Sequence, residues 1–219
     1  MVARYAEATC FFRFSHDDKK RLYSEDVWRR FKDLPSADVI VKQYDNAKAN
    51  DPIDKMLYAD FMTRLSEHTL MLTDRMNMAH GLEARSPLLD HTLVELLATF
   101  PSNLKIKGRE LKYILRKTAE PYLPETILKR KKQGFMFPVA YWFRNELYEF
   151  LNKLFQDSCL VKEGIFNKTK IFSLLADHKN NKVDNSVRLW MLLNLEVWYW
   201  MYIEQSDLAT VEDRVREYL

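Results

Sequence analysis

The chain carries four glycines in 219 residues, Gly81, Gly108, Gly134 and Gly164, and no two lie close together. Average usage of about 7% would place roughly fifteen. A phosphate-cradling loop of the GxGxxG or GxxxxGK[ST] kind needs glycines a few residues apart, so that backbone N–H groups can close on an anion. No such loop can be built from this spacing. A nucleotide handled with the help of these residues takes its phosphate loop from elsewhere.

The remaining pattern is helical almost throughout. Leu57, Phe61 and Leu65 recur every four residues behind Pro52, which suits a first helical turn. Thr73 or Asp74 is expected to cap a next segment that runs to about Gly81. After Pro87, the residues Leu89, Leu93, Leu96, Leu97 and Phe100 form an apolar stripe that must stop before Pro101. A helix is predicted from about Arg109 to Glu120, others near 140–156 and 167–178. A long one near the C-terminus sets Val187, Trp190, Met191, Leu195, Trp198, Met201 and Tyr202 on one broad face, expected to be core. VIVKQY (39–44) is the best strand candidate and is short. The predicted class is all-α, one unit with a motif-bearing half at about 55–138 and a helical tail at about 139–219, divided by a loop at about 130–138.

Composition narrows the function classes. Hydrophobic residues at 47% and charged residues at 30% are globular values, and a net charge of +3 does not make a nucleic-acid groove. The two cysteines, Cys10 and Cys159, have no CxxC spacing, which suits a reducing cytoplasm and no zinc site. No metal-ligand spacing joins His80 or His91 to another ligand. The sequence has no signal-peptide pattern and no apolar run of membrane-spanning length.

Several charged residues allow two readings each. Glu83 and Arg85 stand two apart beyond a helix end, so in extended chain both side chains face one side. They form either a cavity wall, in which the guanidinium favours the ionised carboxylate, or a surface ion pair of little energetic weight. Asp74 and Arg75 open a helix, and Asp90 fits the cap of the next, so all three read mainly as scaffold. Lys112 and Arg116 fall four apart on a predicted helix face and suit phosphate, an acidic substrate or plain water. The run Lys129-Arg130-Lys131-Lys132 before Gly134 and Phe135 is a solvated loop, a basic patch, or a segment that folds a lysine over an anion.

Taken in order, these pieces resemble the C-terminal part of the glutamine-hydrolysing asparagine synthetases. The resemblance rests on Asp74-Arg75, on Leu82-Glu83-x-Arg85-x-Pro87-x-Leu89-Asp90, and on Gly108 with Lys112-Tyr113-x-Leu115-Arg116. It continues through Leu123-Pro124, Arg130-x-Lys132-x-x-Phe135 and the tail Arg188-Leu189-Trp190-x-Leu192-Leu193-x-Leu195-Glu196-x-Trp198, covering about residues 55–202. It implies the helical portion of a PP-loop ATPase-like synthetase domain, without the nucleotide-binding sheet.

The family's chemistry, ATP- and Mg²⁺-dependent, adenylates the aspartate side chain and aminates it with ammonia from glutamine, giving asparagine, AMP and pyrophosphate. The resemblance places Lys132 at the family's active-site lysine and Glu83 at the glutamate that touches the substrate amine or takes a proton from the attacking ammonia. Arg85 then holds that segment's geometry, with Lys112, Arg116 and Arg130 as substrate or phosphate contacts. Ser86 and Leu88 stand where the commoner family segment has Val and Phe.

Three family features are not among the 219 residues: the S-G-G-x-D-S phosphate loop, an E-G-x-D-E-type acidic motif, and a cysteine after the initiator methionine, where Val2 stands. The chain alone is therefore expected to be inactive and to bind no cofactor tightly. Its partners are expected to be the missing glutaminase and PP-loop segments, with self-association also expected and no nucleic acid or membrane. Two other readings stay open: a non-catalytic helical interaction module, and a related amide- or lactam-forming ligase acting on another carboxylate.

Overall fold

Polar residues that accept a backbone N–H start many of the helices. In the computed structural model, which describes residues 2–8, 14–131 and 137–219, the elements run as follows. First come α1 (Val2–Ala8), α2 (His16–Leu22), α3 (Glu25–Phe31), α4 (Asp38–Asn46), α5 (Pro52–Asp60), α6 (Met71–Met78), α7 (His91–Thr99) and α8 (Ser102–Lys105). Then follow β1 (Ile106–Lys107), β2 (Glu110–Leu111), α9 (Tyr113–Ala119), α10 (Glu125–Leu128), α11 (Val139–Arg144), α12 (Tyr148–Gln156), α13 (Cys159–Lys162), α14 (Lys168–Lys179), α15 (Ser186–Tyr202) and α16 (Leu208–Tyr218). The architecture is all-α; β1 and β2 form an antiparallel hairpin, the one sheet among the described residues.

The chain divides into two compact units, one of residues 1–6 and 37–134, the other of residues 7–36 and 135–219. In the first, Asp51 accepts the Ile53 N–H at 2.7 Å and starts α5, with Pro52 in its first turn. The other oxygen of Asp51 accepts the Ser102 hydroxyl at 2.7 Å, and Lys105 reaches Asp54 at 2.7 Å, so α8 is tied to α5 by two polar contacts. Tyr5 donates to the Met56 carbonyl at 3.2 Å, which sets α1 beside α5.

From α5 the helix runs without a cap through a π-helical stretch, Phe61–Leu70, into α6. The cap expected at Thr73 or Asp74 does not form. The Thr73 hydroxyl instead donates back to the Thr69 carbonyl at 2.8 Å, an alternative open to threonine inside a helix. The strand candidate at 39–44 is also helical, as part of α4. Ile40 is buried there while Val39 is exposed, so one apolar stripe outweighs the β-branched run.

The second unit holds the larger core. α12 buries Phe150, Leu151, Leu154 and Phe155, a helical stripe that packs with Phe143, Ile171, Leu175 and Leu189. α15 turns Leu189, Leu192, Glu196 and Trp200 inward. Most of the face predicted as core points the other way: Val187, Trp190, Met191, Leu195, Trp198 and Tyr202 are exposed, while Met201 is half-buried and packs against the core. Glu196 decides the rotation, because its carboxylate accepts from the Ser158 hydroxyl, from Cys159 N–H at 3.1 Å and from Leu160 N–H at 3.4 Å. The N-terminal pair α2 and α3 joins this core through Ser24 N–H to Ile165 O at 2.9 Å, Asn167 N–H to Leu22 O at 2.7 Å, and Arg188 to Asp18 at 2.9 Å.

His178 is fully buried on α14. Its Nε2 lies 3.0 Å from the Ala140 carbonyl, which can only accept, and its Nδ1 lies 3.2 Å from the Asn185 N–H, which can only donate. The ring is therefore the neutral Nε2–H tautomer. Burial, with help from Arg144, lowers its pKa against the opposing pull of the Ala140 carbonyl and Asp184. A folded-state pKa below the unfolded value of about 6.5 gives stability that is complete above that pH and is lost as pH falls through the folded value. The urea midpoint of the second unit is accordingly expected to fall between about pH 7 and pH 5. Because buried Glu196, with its raised pKa, acts with the opposite sign in the same unit, the test is the difference from His178→Gln: an equal dependence of midpoint on pH in wild type and variant contradicts this role for His178.

Candidate functional site

The segment carrying Glu83 begins where a glycine stops a helix. Beyond α6, Gly81 adopts φ +68°, its N–H bonds Met78 O at 3.0 Å, and Leu82 N–H bonds Asn77 O at 3.0 Å. This pair of bonds is a Schellman stop, which needs a left-handed residue at the position Gly81 occupies. The chain leaves it as open backbone through 82–86, then takes one 3-10 turn, Pro87–Leu89, into α7. Asp90 caps α7 by accepting Thr92 N–H at 2.9 Å together with the Thr92 hydroxyl, and these bonds hold its carboxyl below the usual range. Asp90 is scaffold.

Between these two fixed ends, Glu83 and Arg85 pair at 2.9 Å with 67% and 83% of their side chains exposed. An ion pair at that exposure adds little to stability. It leaves both groups open to a ligand, and Asp74 and Arg75 are exposed as well.

The basic residues are placed differently from the sequence expectation. Residues 109–112 are not helical: Gly108, at φ +60°, turns the β1–β2 hairpin, and α9 starts only at Tyr113. Lys112 precedes α9 in the left-handed conformation, φ 58° and ψ 38°, which costs a non-glycine residue about 1 kcal/mol. Lys112 and Arg116 therefore do not share a helical face in the way a four-residue spacing predicts. Arg116 donates to the Leu128 carbonyl at 3.0 Å and ties α9 to α10, so at least one of its N–H groups is structural.

No hydrogen bond or ion pair among the described residues joins Glu83 or Arg85 to Lys112 or Arg116. Arg130 is exposed at the end of the described stretch, and Lys132 lies outside the described residues. No group of three His, Cys, Asp or Glu side chains among the described residues is placed to hold a metal ion. No helix among them is long and apolar enough to cross a membrane.

Comparison with known proteins places these residues in a family. The family model described as asparagine synthase matches residues 2–200. Asparagine synthetase [glutamine-hydrolyzing] 1 of Bacillus subtilis (strain 168) is 35% identical over 172 residues, covering 78% of this chain and 27% of the relative. A putative asparagine synthetase [glutamine-hydrolyzing] of Mycobacterium tuberculosis (strain ATCC 25618 / H37Rv) is 30% identical over 182 residues, 83% of this chain and 28% of the relative. Amidase chyE of Penicillium rubens (strain ATCC 28089 / DSM 1075 / NRRL 1951 / Wisconsin 54-1255) is 34% identical over 88 residues, 37% of this chain and 13% of the relative. No solved structure matches. The chain belongs to the asparagine synthase family, and it spans little more than a quarter of the length of the synthetases it matches.

Two buried groups escaped the reading of the sequence, His178 and the inward-facing Glu196. Glu196 had a visible signal, since it is the single charge in the eleven residues LWMLLNLEVWY that follow Arg188. The glycine stop before Glu83 yields a prediction. Nothing lies within 4 Å of the place a Gly81 side chain would occupy, so substitution there costs only backbone strain. Gly81→Ala should destabilise the first unit by about 1 kcal/mol, and Gly81→Asn by less. Equal stability of Gly81→Ala and wild type in urea unfolding contradicts the Schellman stop.

Proposed function

We propose that these residues form the helical, Glu83- and Lys132-bearing part of an ATP-dependent synthetase that makes asparagine from aspartate and glutamine-derived ammonia. The observation that carries the reading is the ordered set Leu82-Glu83-x-Arg85-x-Pro87, Lys112-Tyr113-x-Leu115-Arg116 and Arg130-x-Lys132 within a chain of the asparagine synthase family. Two structural facts support it. The Gly81 stop and the Asp90 cap fix both ends of the segment that presents Glu83 and Arg85. The same unit exposes Leu57, Phe61, Met62, Leu72 and Met76 along its longest run of helix, apolar surface suited to a further layer of protein.

On this reading an oxygen of the aspartate side-chain carboxylate attacks the α-phosphorus of ATP. The bond from that phosphorus to the pyrophosphate oxygen breaks, and pyrophosphate leaves. Ammonia then attacks the activated carboxyl carbon, AMP leaves with the former carboxylate oxygen, and one proton is lost from nitrogen. The Lys132 ammonium meets the negative charge that grows on phosphoryl and pyrophosphate oxygens, as fixed cations do in phosphoryl transfer. Glu83 binds the substrate ammonium or receives the proton that nitrogen sheds. Arg85, paired with Glu83 at 2.9 Å, holds the geometry of that segment.

Lys112, Arg130 and the N–H groups of Arg116 not spent on Leu128 supply further positive charge to phosphate or substrate. On the same reading Mg²⁺ accompanies the ATP in the whole enzyme; no group of three His, Cys, Asp or Glu side chains among the described residues is placed to hold it. The phosphate loop and the glutaminase nucleophile come from residues other than these 219, and the chain alone is inactive and binds ATP no better than millimolar.

A second reading has a specific observation behind it. A relative named as an amidase aligns over 88 residues, 37% of this chain, so amide chemistry other than asparagine formation is the second reading. Reading the gene upstream of Met1 for a phosphate loop, then assaying the longest product for asparagine, separates the two. In that product Lys132→Ala and Glu83→Gln should each lower kcat at least about 100-fold. Undiminished activity in Lys132→Ala would sink the catalytic assignment, as would sub-micromolar ATP affinity of the 219-residue chain the claim of a phosphate site elsewhere.

A further inference from the structure

Helix α15 leaves one face of the second unit uncovered. Val187, Trp190, Met191, Leu195, Trp198 and Tyr202 are exposed along it, at spacings of three and four residues that keep them in one stripe about 24 Å long. The opposite face carries Leu189, Leu192, Glu196 and Trp200 into the core, so the helix cannot turn these aromatics inward as well. The exposed rings are already packed on neighbours. Trp190 stacks on the buried Phe143 with ring centres 6.3 Å apart, and Trp198 lies against Tyr202 at 5.8 Å. Exposed Trp and Tyr side chains held in this way suit the energetic centre of an interface, since less freedom is left to lose when a partner arrives.

The stripe has the size and the charge of half a symmetric interface. Trp190, Trp198 and Tyr202 are 49%, 46% and 63% exposed, roughly half of about 200–250 Å² each, and the other three side chains bring the total to about 600 Å². Two copies would bury about 1,200 Å², above the roughly 1,000 Å² that a specific interface requires. No charged side chain lies on the stripe. Between Val187 and Tyr202 the charges are Arg188, bonded to Asp18 at 2.9 Å, and Glu196, buried among its donors. A partner of fixed charge finds nothing to pair with here, and a second copy meets no like charge.

The order of residues along the stripe fits such a copy in one direction. Asn194 is exposed at its midpoint, and its amide donates to Trp190 O at 2.7 Å, which leaves a second N–H and the carbonyl oxygen. An amide both donates and accepts, so two copies of Asn194 can satisfy each other across a two-fold axis. In an antiparallel pair about that axis the slim end of each stripe lies on the bulky end of the other. Val187 then faces Tyr202, and Met191 faces Trp198, a thioether against an indole. Antiparallel helices also set opposite dipole ends together, whereas a parallel pair sets like ends side by side. We propose that the exposed face of α15 binds a second copy of this chain, the two helices packing antiparallel about a two-fold axis at Asn194 and Leu195. Nothing in this pairing depends on the synthetase chemistry, and the apolar surface of the first unit takes no part in it.

Sedimentation equilibrium of the full chain should fit a monomer–dimer equilibrium with Kd on the order of 10 µM. Asn194→Asp is exposed and nearly isosteric, and it sets two carboxylates against each other at the axis. It should raise Kd at least about tenfold at neutral pH. Phe61→Glu, in the first unit, should leave Kd within about twofold. Direction is read with a short bismaleimide cross-linker in the Cys10→Ser, Cys159→Ser chain. Val187→Cys alone and Tyr202→Cys alone should give little linked dimer, and a mixture of the two should give most. If the cysteine-free chain does not fold, Asn194→Asp carries the test. The proposal is overturned if the chain stays monomeric at about 200 µM, or if Asn194→Asp dimerises like wild type. It is equally overturned if Phe61→Glu abolishes the dimer, or if Val187→Cys links to itself as readily as to Tyr202→Cys.

Discussion

The carboxylate of Glu196, buried in an otherwise apolar helix, fixes the arrangement on which the second unit depends. Burial pushes its pKa up, and three hydrogen bonds, from the Ser158 hydroxyl and the N–H groups of Cys159 and Leu160, act against that shift. A carboxylate this deep is stable only where such donors converge. The consequence is geometric. α13 is pinned to α15, α15 can face the core only with Leu189, Leu192 and Trp200 inward, and Arg188 then falls where it reaches Asp18 on α2. The same pin brings Cys159 and Trp200 to one cavity.

This explains why one part of the fold was legible in the sequence and another was not. Where a single residue has one job, the expectation held: Pro52 opens α5, Asp90 caps α7, and α7 ends before Pro101. The direction of α15 was not legible, because its apolar residues outnumber the positions on one face. Counting apolar side chains selected the stripe Val187, Met191, Leu195 and Trp198, and the polar Glu196 chose the opposite one. Lys112 was misplaced for a related reason. A helical spacing from Arg109 overlooks that Gly108 can turn a two-residue hairpin, and the turn wins.

The candidate site was legible as an order of residues and less so as a geometry. Glu83 and Arg85 do pair, and the glycine before them stops the helix in the way such an exit requires. The sequence carries no information on how far that pair stands from Lys112 or Arg130, since the connecting elements are short and their packing is not written in any periodicity. Lys132, the residue on which the proposed phosphoryl chemistry turns most, lies outside the described residues.

The two units differ in how much apolar surface they bury. The second packs Phe143, Phe155, Leu151 and Ile171 almost completely, while the first buries Ala6, Ile40, Ala47 and Ala59 and leaves its long helical run exposed. The described residues of the proposed site, Glu83, Arg85, Lys112 and Arg116, therefore sit on the unit with the smaller core. Amide hydrogen exchange of the full chain, read by peptide mass spectrometry, tests this division most directly. Protection in α12, α14 and α15 is predicted to exceed that in α5 and α6 by at least roughly 100-fold. Equal protection in the two units, or greater protection in α5 and α6, would contradict it.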